Sequence, residues 1–145
     1  MIALGIDYGA ARIGVAASDA LGMLAHPVET VPAKPVPAAL ARIADLVRAR
    51  GAQCLVMGLP VREDGTEGTA AEGVRRFAGQ LAAQLPAGFP IEFQDEYRST
   101  VAAAEQLRSA GRRTRQHRPI IDQAAAVVIL QEWLDARAGT ELPPA

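Results

Sequence analysis

Three carboxylates in this sequence sit where the residues around them ask for something else. Asp7 follows a run in which Ile2, Leu4 and Ile6 share one face of a strand, which puts Asp7 on the opposite face with Ala3 and Gly5. Those small neighbours leave room on that face for something bulky, and the only polar group there is an acid that needs a cation, a donor or water beside it. Asp122 heads a ridge, Asp122, Ala126, Ile129 and Trp133, at the helical spacing of four, three and four. Three of those four want a core, so Asp122 lies at the mouth of a buried ridge, with Gln123, Gln131, Glu132 and Asp135 expected on the solvent side. Glu96, with Asp95 beside it, falls where the last predicted strand gives way to a helix, the place where open α/β sheets gather their ligands. Each acid has a plain reading: Asp7 starts a turn, Asp122 is a first-turn acid favoured by the helix dipole, and Asp95-Glu96 stabilises the helix that follows. Together they suggest chemistry. Clustered carboxylates repel one another unless a cation is present. Hard ions such as Mg²⁺ or Mn²⁺ take such oxygens, and a pair of them roughly 4 Å apart can drive phosphodiester cleavage.

Other stretches suit a phosphate-bearing substrate. The turn-rich segment Gly58 to Thr66 carries Arg62 and precedes a helix start, so its backbone N–H groups could approach a phosphate; its plainer reading is a βα connection. Arg112, Arg113, Arg115 and Arg118 fall within seven residues, with His117 and no acid among them. Such a run is usually a solvated loop, but it lies directly before Asp122, and forked guanidinium donors match phosphate oxygens. His26 and His117 are too isolated to suggest zinc. The net charge of −1 gives no global argument for a nucleic-acid partner. The preference for arginine, with Lys34 the only lysine, follows from base composition more simply than from function.

The elements that must position these residues can be read in order. Two β-branched runs around Gly9 to Arg12 form a hairpin, and His26 to Val31 a third strand. Pro32 to Pro37 is a connection. A helix is predicted from about Ala38 to Arg50 with Gly51 as its stop, and Gln53 to Met57 is a buried strand. Thr69 and Glu72 have capping-box spacing before a helix from about Ala70 to Leu85. Ile91 to Gln94 is the fifth strand; Ser99 or Thr100 caps a helix to Ala110, and Pro119 opens a last one reaching about Arg137. The order implies a mixed five-stranded sheet flanked by helices, an α/β domain over residues 1–138 with residues 139–145 as a flexible tail. At 145 residues and 50% hydrophobic content, one core accounts for the chain. The longest apolar run, Ala124 to Leu130, is too short to span a bilayer, Asp7 interrupts the opening run as no signal peptide would be interrupted, and the lone Cys54 suits a reducing cytosol.

Gly5-Ile-Asp7-Tyr-Gly9, Arg12-Ile-Gly-Val, Ser18-Asp19, Gly58-Leu-Pro60 with Gly65, Asp95-Glu96, Ser99-Thr100 and Asp122-Gln-Ala-Ala closely resemble the YqgF/RuvX family, in the RuvC-like branch of the RNase H superfamily. The resemblance covers essentially the whole chain with the motifs in order. It implies an RNase H-like fold with strand order 3-2-1-4-5 and a Mg²⁺- or Mn²⁺-dependent nuclease site with Asp7, Glu96 and Asp122 as metal-binding acids. Arg12, Arg62, Arg98, Ser99, Thr100 and the arginines at 112, 113, 115 and 118 would then face the substrate. Members are described as processing the 5′ end of precursor small-subunit ribosomal RNA, or as resolving Holliday junctions. Where the family has Asp-Glu-Arg, this chain reads Asp95-Glu96-Tyr97, with the arginine displaced to Arg98.

The functional expectation is therefore a cytoplasmic, metal-dependent endonuclease acting on structured RNA or branched DNA, with a homodimer plausible because cutting both strands of a junction calls for two sites. An actin-like or sugar-kinase ATPase shares an Asp-x-Gly after its first strand but needs a second lobe. A non-catalytic nucleic-acid-binding factor would have no use for the retained acids. Nothing in the sequence reads bases, so RNA and DNA remain open.

Overall fold

The computed structural model describes residues 1–97 and 118–140. Its elements are β1 (Ala3–Tyr8), β2 (Arg12–Ser18), β3 (Ala25–Pro32), α1 (Val36–Arg50), β4 (Cys54–Val61), α2 (Thr69–Ala82), β5 (Ile91–Tyr97) and α3 (Arg118–Thr140). The five strands form one sheet in the order β3-β2-β1-β4-β5. β2 runs antiparallel to β1 and β3, while β4 runs parallel to β1 and β5. The predicted mixed sheet and its strand order are those observed. The predicted helix from Ser99 or Thr100 to Ala110 lies outside the described residues.

The β1–β2 hairpin is tight: the Gly9 N–H donates to the Arg12 carbonyl at 3.0 Å, and the register runs from Leu4↔Ala17 to Tyr8↔Ile13. With a side-chain period of two, that register sends Leu4, Ile6, Ile13 and Val15 to one face, where they join Leu55, Met57 and the inward residues of α1 and α2 in the larger core. Ala3, Ala16, Cys54 and Val56 on the other face meet Ala126, Ile129, Leu130 and Trp133 of α3. Cys54 is a buried free thiol, pushed up from its ordinary pKa by loss of water and then by the nearby Glu92 carboxylate. No helix among the described residues is long and apolar enough to cross a membrane.

The α3 face is distinguished by what it lacks. A Cβ on Gly5 would lie 2.7 Å from the Leu130 Cβ and 3.0 Å from the Ala126 carbonyl oxygen. One on Gly14 would lie 2.0 Å from the Asp122 carbonyl oxygen, and one on Gly58 would lie 2.6 Å from the Ile129 Cδ1. The bulky object for which the small residues around Asp7 leave room is thus a helix, whose backbone rests on glycine at β1 and β2.

Several boundaries and partners differ from the sequence reading. β4 continues past Met57 to Val61, so Gly58 belongs to a strand and not to a turn; pairing with β5 through Val61↔Tyr97 carries it on. α1 starts at Val36, two residues before the predicted Ala38, because Pro37 fits a first turn, where its missing N–H is no loss. Its stop is as predicted, with Gly51 at φ +64°. The Thr69/Glu72 capping box does not form: Thr69 is already helical, Gly68 is the N-cap, and the Glu72 N–H donates to the Gly68 carbonyl at 3.1 Å. α3 extends to Thr140, taking Gly139 and Thr140 from the predicted tail. Gln123 and Gln131 are half-buried, not fully on the solvent side. Because α3 also crosses β3, its flank there is half-buried and needs polar partners: Gln123 Nε2 donates to Thr30 Oγ1 at 3.0 Å, while Gln131 accepts the Ala25 N–H and donates to the Met23 carbonyl, both at 2.9 Å.

Two glycine substitutions separate close approach from backbone freedom. Gly14→Ala drives a methyl into the α3 backbone and should cost about 3 kcal/mol, the upper end for overpacking, read as a fall in the urea midpoint. Gly79→Ala, in α2 with nothing within 4 Å of the added Cβ, should instead gain about 0.5–1 kcal/mol. Equal effects would refute the close-packed account of α3.

Candidate active site

Asp7 is the penultimate residue of β1. Ile6 and Tyr8 on either side pack into the larger core, so the Asp7 side chain is on the α3 face, where its cross-strand partner is Gly14. Glu96 is placed by the same alternation in β5. Ile91 and Phe93 pack on the larger core, which puts Glu92, Gln94 and Glu96 on the α3 face and Asp95 on the other, separating the two acids that are neighbours in sequence. Between the two strands lies Gly58 of β4, one residue beyond the Ile6↔Met57 pair. A Cβ at Gly58 would stand 2.9 Å from the Glu96 Oε2 and 3.1 Å from its carboxyl carbon, so the Glu96 carboxylate leans over β4 into space left by a missing side chain. Both acids thus lie at the C-terminal ends of parallel strands, on one face.

Asp122 reaches the same end from the covering helix. It is the fifth residue of α3, in its second turn, so it is not the first-turn acid of the plain reading. Its carbonyl oxygen sits directly over Gly14, the residue paired with Asp7. Its Oδ2 accepts a hydrogen bond from Arg12 Nε at 3.0 Å, with the two side chains 25% and 37% exposed. Arg12 is itself fixed at the hairpin turn, on the same face as Gly14.

The fold therefore brings Asp7, Glu96, Asp122 and Arg12 to one end of one face. It does not gather the carboxylates into a finished ligand set: among the described residues, no three His, Cys, Asp or Glu side chains stand close enough to hold an ion. The donors available are carboxylate oxygens, two on rigid strands and one on a helix, over a notch at Gly58. That donor set fits a hard cation such as Mg²⁺ or Mn²⁺ and does not suit zinc. His26 lies exposed on the β3 edge, with its Nε2 3.4 Å from the Arg50 Nη1.

The loop after β4 closes on itself. The Arg62 N–H donates to the Thr66 carbonyl and the Gly65 N–H to the Arg62 carbonyl, both at 2.8 Å, with Gly65 at φ +84°. Asp64 Oδ1 accepts the Thr66 hydroxyl at 2.6 Å and its N–H at 2.9 Å, which holds the Asp64 carboxyl below its ordinary pKa. The N–H groups of residues 62, 65 and 66 are consequently used within the turn and are not available to a phosphate. Arg62 stays exposed at this end of the sheet, its Nη1 donating to Thr66 Oγ1 at 3.3 Å. Arg75 fastens the loop to α2 through both Glu67 carboxylate oxygens, at 2.7 and 2.8 Å, and lies 4.8 Å over the Phe93 ring. That contact lowers the Glu67 pKa.

Arg98, Ser99, Thr100, Arg112, Arg113 and Arg115 lie outside the described residues, as does the side chain of Arg118 at the start of α3. The sequence reading missed Gly58 as the notch beside Glu96. A glycine inside a strand marks close approach, and the signal was hidden by placing Gly58 in a turn.

The profile of the family described as RuvX: Holliday junction resolvase matches residues 1–136. Curated relatives from Nocardia farcinica and Streptomyces coelicolor, both provisionally named pre-16S rRNA nuclease, are 50% and 46% identical over 141 residues; the matches cover 93% and 97% of this chain and 78% and 84% of theirs. Among solved structures, RuvC of T. thermophilus in complex with a Holliday junction substrate superimposes with a TM-score of 0.60 at 21% identity, over 97% of each chain. A Fowlpox virus resolvase with Holliday junction DNA gives 0.53 at 7% identity, over 94% of this chain and 99% of that one. At such identities the structural likeness is one of fold.

The Gly58 notch has a measurable consequence. In Gly58→Ala the added methyl meets the ends of two side chains, Glu96 and Ile129, so the stability cost should be small, about 1 kcal/mol. Glu96 must swing aside, however, and Mn²⁺ binding followed by titration calorimetry should weaken. Unchanged Mn²⁺ affinity would remove Glu96 from the ligand set.

Proposed function

The chain belongs to the RuvX family, and on that footing we propose that it is a divalent-metal-dependent endonuclease that cleaves phosphodiester bonds in structured nucleic acid, with the 5′ end of precursor 16S ribosomal RNA as its substrate. The observation that carries the reading is the convergence of Asp7 and Glu96 across the Gly58 notch, beneath the helix that bears Asp122. The names of the curated relatives support the choice of RNA.

Asp7, Glu96 and Asp122 would hold Mg²⁺ or Mn²⁺, which in the two-ion form of this chemistry supplies Lewis acidity at the attacking and leaving oxygens. The chain's own contribution is placement. Asp7 and Glu96 are fixed by β-ladders that cannot slip by one residue without turning every core residue of β1 and β5 to the opposite face of the sheet. Asp122 is fixed by the seating of α3 on Gly14. Arg12 and Arg62, exposed at the same end, would neutralise phosphates flanking the scissile bond, as would Arg98, Ser99, Thr100 and the arginines at 112, 113, 115 and 118. Asp7, Glu96 and Asp122 would act on the phosphodiester backbone and do not themselves choose between RNA and DNA. The chemistry requires no second compartment, and the cytoplasm, where ribosomal RNA is made, suits it.

A second reading, resolution of four-way DNA junctions, is favoured by the fold shared with two resolvases solved with junction DNA. A homodimer would then present two sites to the two strands to be cut.

Asp7→Asn and Glu96→Gln should each lower cleavage of end-labelled precursor rRNA by about 10³-fold or more, the loss of several kcal/mol of charge stabilisation, while binding of the RNA persists. Assaying a four-way junction under the same Mg²⁺ or Mn²⁺ conditions decides between the substrates. An Asp7→Asn protein that cuts either one at the wild-type rate would overturn the nuclease site.

A further inference from the structure

Arg12 occupies an odd position for a residue whose task is to hold substrate. Its Nε is already committed to Asp122 Oδ2 at 3.0 Å, one of the oxygens that a cation would need. Its two terminal guanidinium nitrogens take no hydrogen-bond partner among the described residues, and its side chain is 37% exposed. Its backbone cannot follow the side chain: the Arg12 carbonyl accepts the Gly9 N–H at 3.0 Å, and Arg12 pairs across to Pro32 on β3. The result is a rigid anchor carrying a long cationic side chain beside Asp122, whose own backbone is no less firmly seated over Gly14.

We infer that Arg12 is an exchangeable counter-ion: it holds Asp122 in the protein without its metal, and passes to a backbone phosphate of the substrate when a divalent cation takes Asp122. This rests on the nuclease reading above and adds to it a coupling between metal and nucleic acid. With no substrate, the cation must displace a guanidinium from Asp122 and then sit beside a stranded positive charge. With substrate present, a phosphate gives that guanidinium another partner, with forked donors suited to it. Nucleic acid therefore tightens metal binding, and by reciprocity metal tightens nucleic-acid binding by the same factor. The pair is partly exposed, so the effect is modest: exposed ion pairs are worth up to about 1 kcal/mol, or about fivefold in affinity.

The test is Mn²⁺ titration calorimetry on wild type, Arg12→Gln and Arg12→Lys, each alone and with a non-cleavable RNA in which the scissile phosphate is replaced. In Arg12→Gln, Mn²⁺ should bind the free protein about three- to fivefold more tightly than in wild type, and added RNA should no longer tighten it. The slope of log affinity for RNA against log salt should fall by roughly 0.7–0.9, one phosphate contact. Arg12→Lys keeps the charge and should retain most of the coupling, which separates exchange from damage to the hairpin. Arg12→Gln binding Mn²⁺ more weakly than wild type, or with coupling intact, would make Arg12 a merely structural prop and overturn the exchange. Wild type failing to bind Mn²⁺ with or without RNA would overturn the metal reading itself, an outcome distinct from the first.

Discussion

The structure depends on how closely α3 lies on the sheet. Helix and sheet usually meet through interleaved side chains, but here the α3 backbone touches β1 at Gly5 and β2 at Gly14, and a methyl at either would overlap it. That contact is inexpensive in apolar area and rich in geometry. It removes the play that flexible side chains would leave between the layers, so the height of the helix over the sheet is fixed by backbone atoms alone. Asp122 inherits that precision, because its own carbonyl is the atom that meets Gly14. Fold and site are therefore set by one constraint.

The sheet's two faces divide the labour. Toward α1 and α2 the strands present Leu4, Ile6, Ile13, Val15, Leu55 and Met57, all fully buried, and that core supplies most of the hydrophobic stabilisation. Toward α3 they present mostly glycine, alanine and cysteine, with Val56, a poorer core that leaves space for carboxylates at one end. A one-residue slip of β1 would exchange these sets, turning Asp7 into the larger core and driving Ile6 against the α3 backbone, so the large core enforces the register that aims the acid. Polar ties finish the seating of α3 along its outer flank. Gln123 on Thr30, and Gln131 on Ala25 and Met23, hold β3 and the preceding loop to the helix, where hydrophobic contact alone would allow rotation.

What the sequence revealed and what it hid follow from the range of the interactions involved. Asp7 was legible because strand alternation is local, and Asp122 because three apolar residues at helical spacing fix the face of α3. The mixed sheet followed from the hairpin and the two crossovers, and its strand order from the family resemblance. Gly14 was not legible as a contact with Asp122, since nothing near it announces a residue 108 positions on that rests upon it. The same holds for Gln123 and Gln131, which read as solvent-facing because a helix pattern cannot tell that a third strand lies under its flank. Thr69 and Glu72 had the spacing of a capping box, but the hydrogen-bonded closure of residues 62–66 and the Val61↔Glu67 bridge carry the chain into α2 one residue earlier, through Gly68.

The charge distribution links these points to how such a site would meet its substrate. A net charge of −1 supplies no long-range attraction for a polyanion, and Asp7, Glu96 and Asp122 add negative charge at one end of the α3 face. Among the described residues, short-range attraction for a phosphate at that end would come from Arg12 and Arg62. One divalent ion held by Asp7, Glu96 and Asp122 would leave that group at a charge of −1, which the Arg12 guanidinium beside Asp122 brings to zero. On the nuclease reading proposed above, a bound cation would therefore lessen the repulsion that a phosphate meets at this end of the sheet.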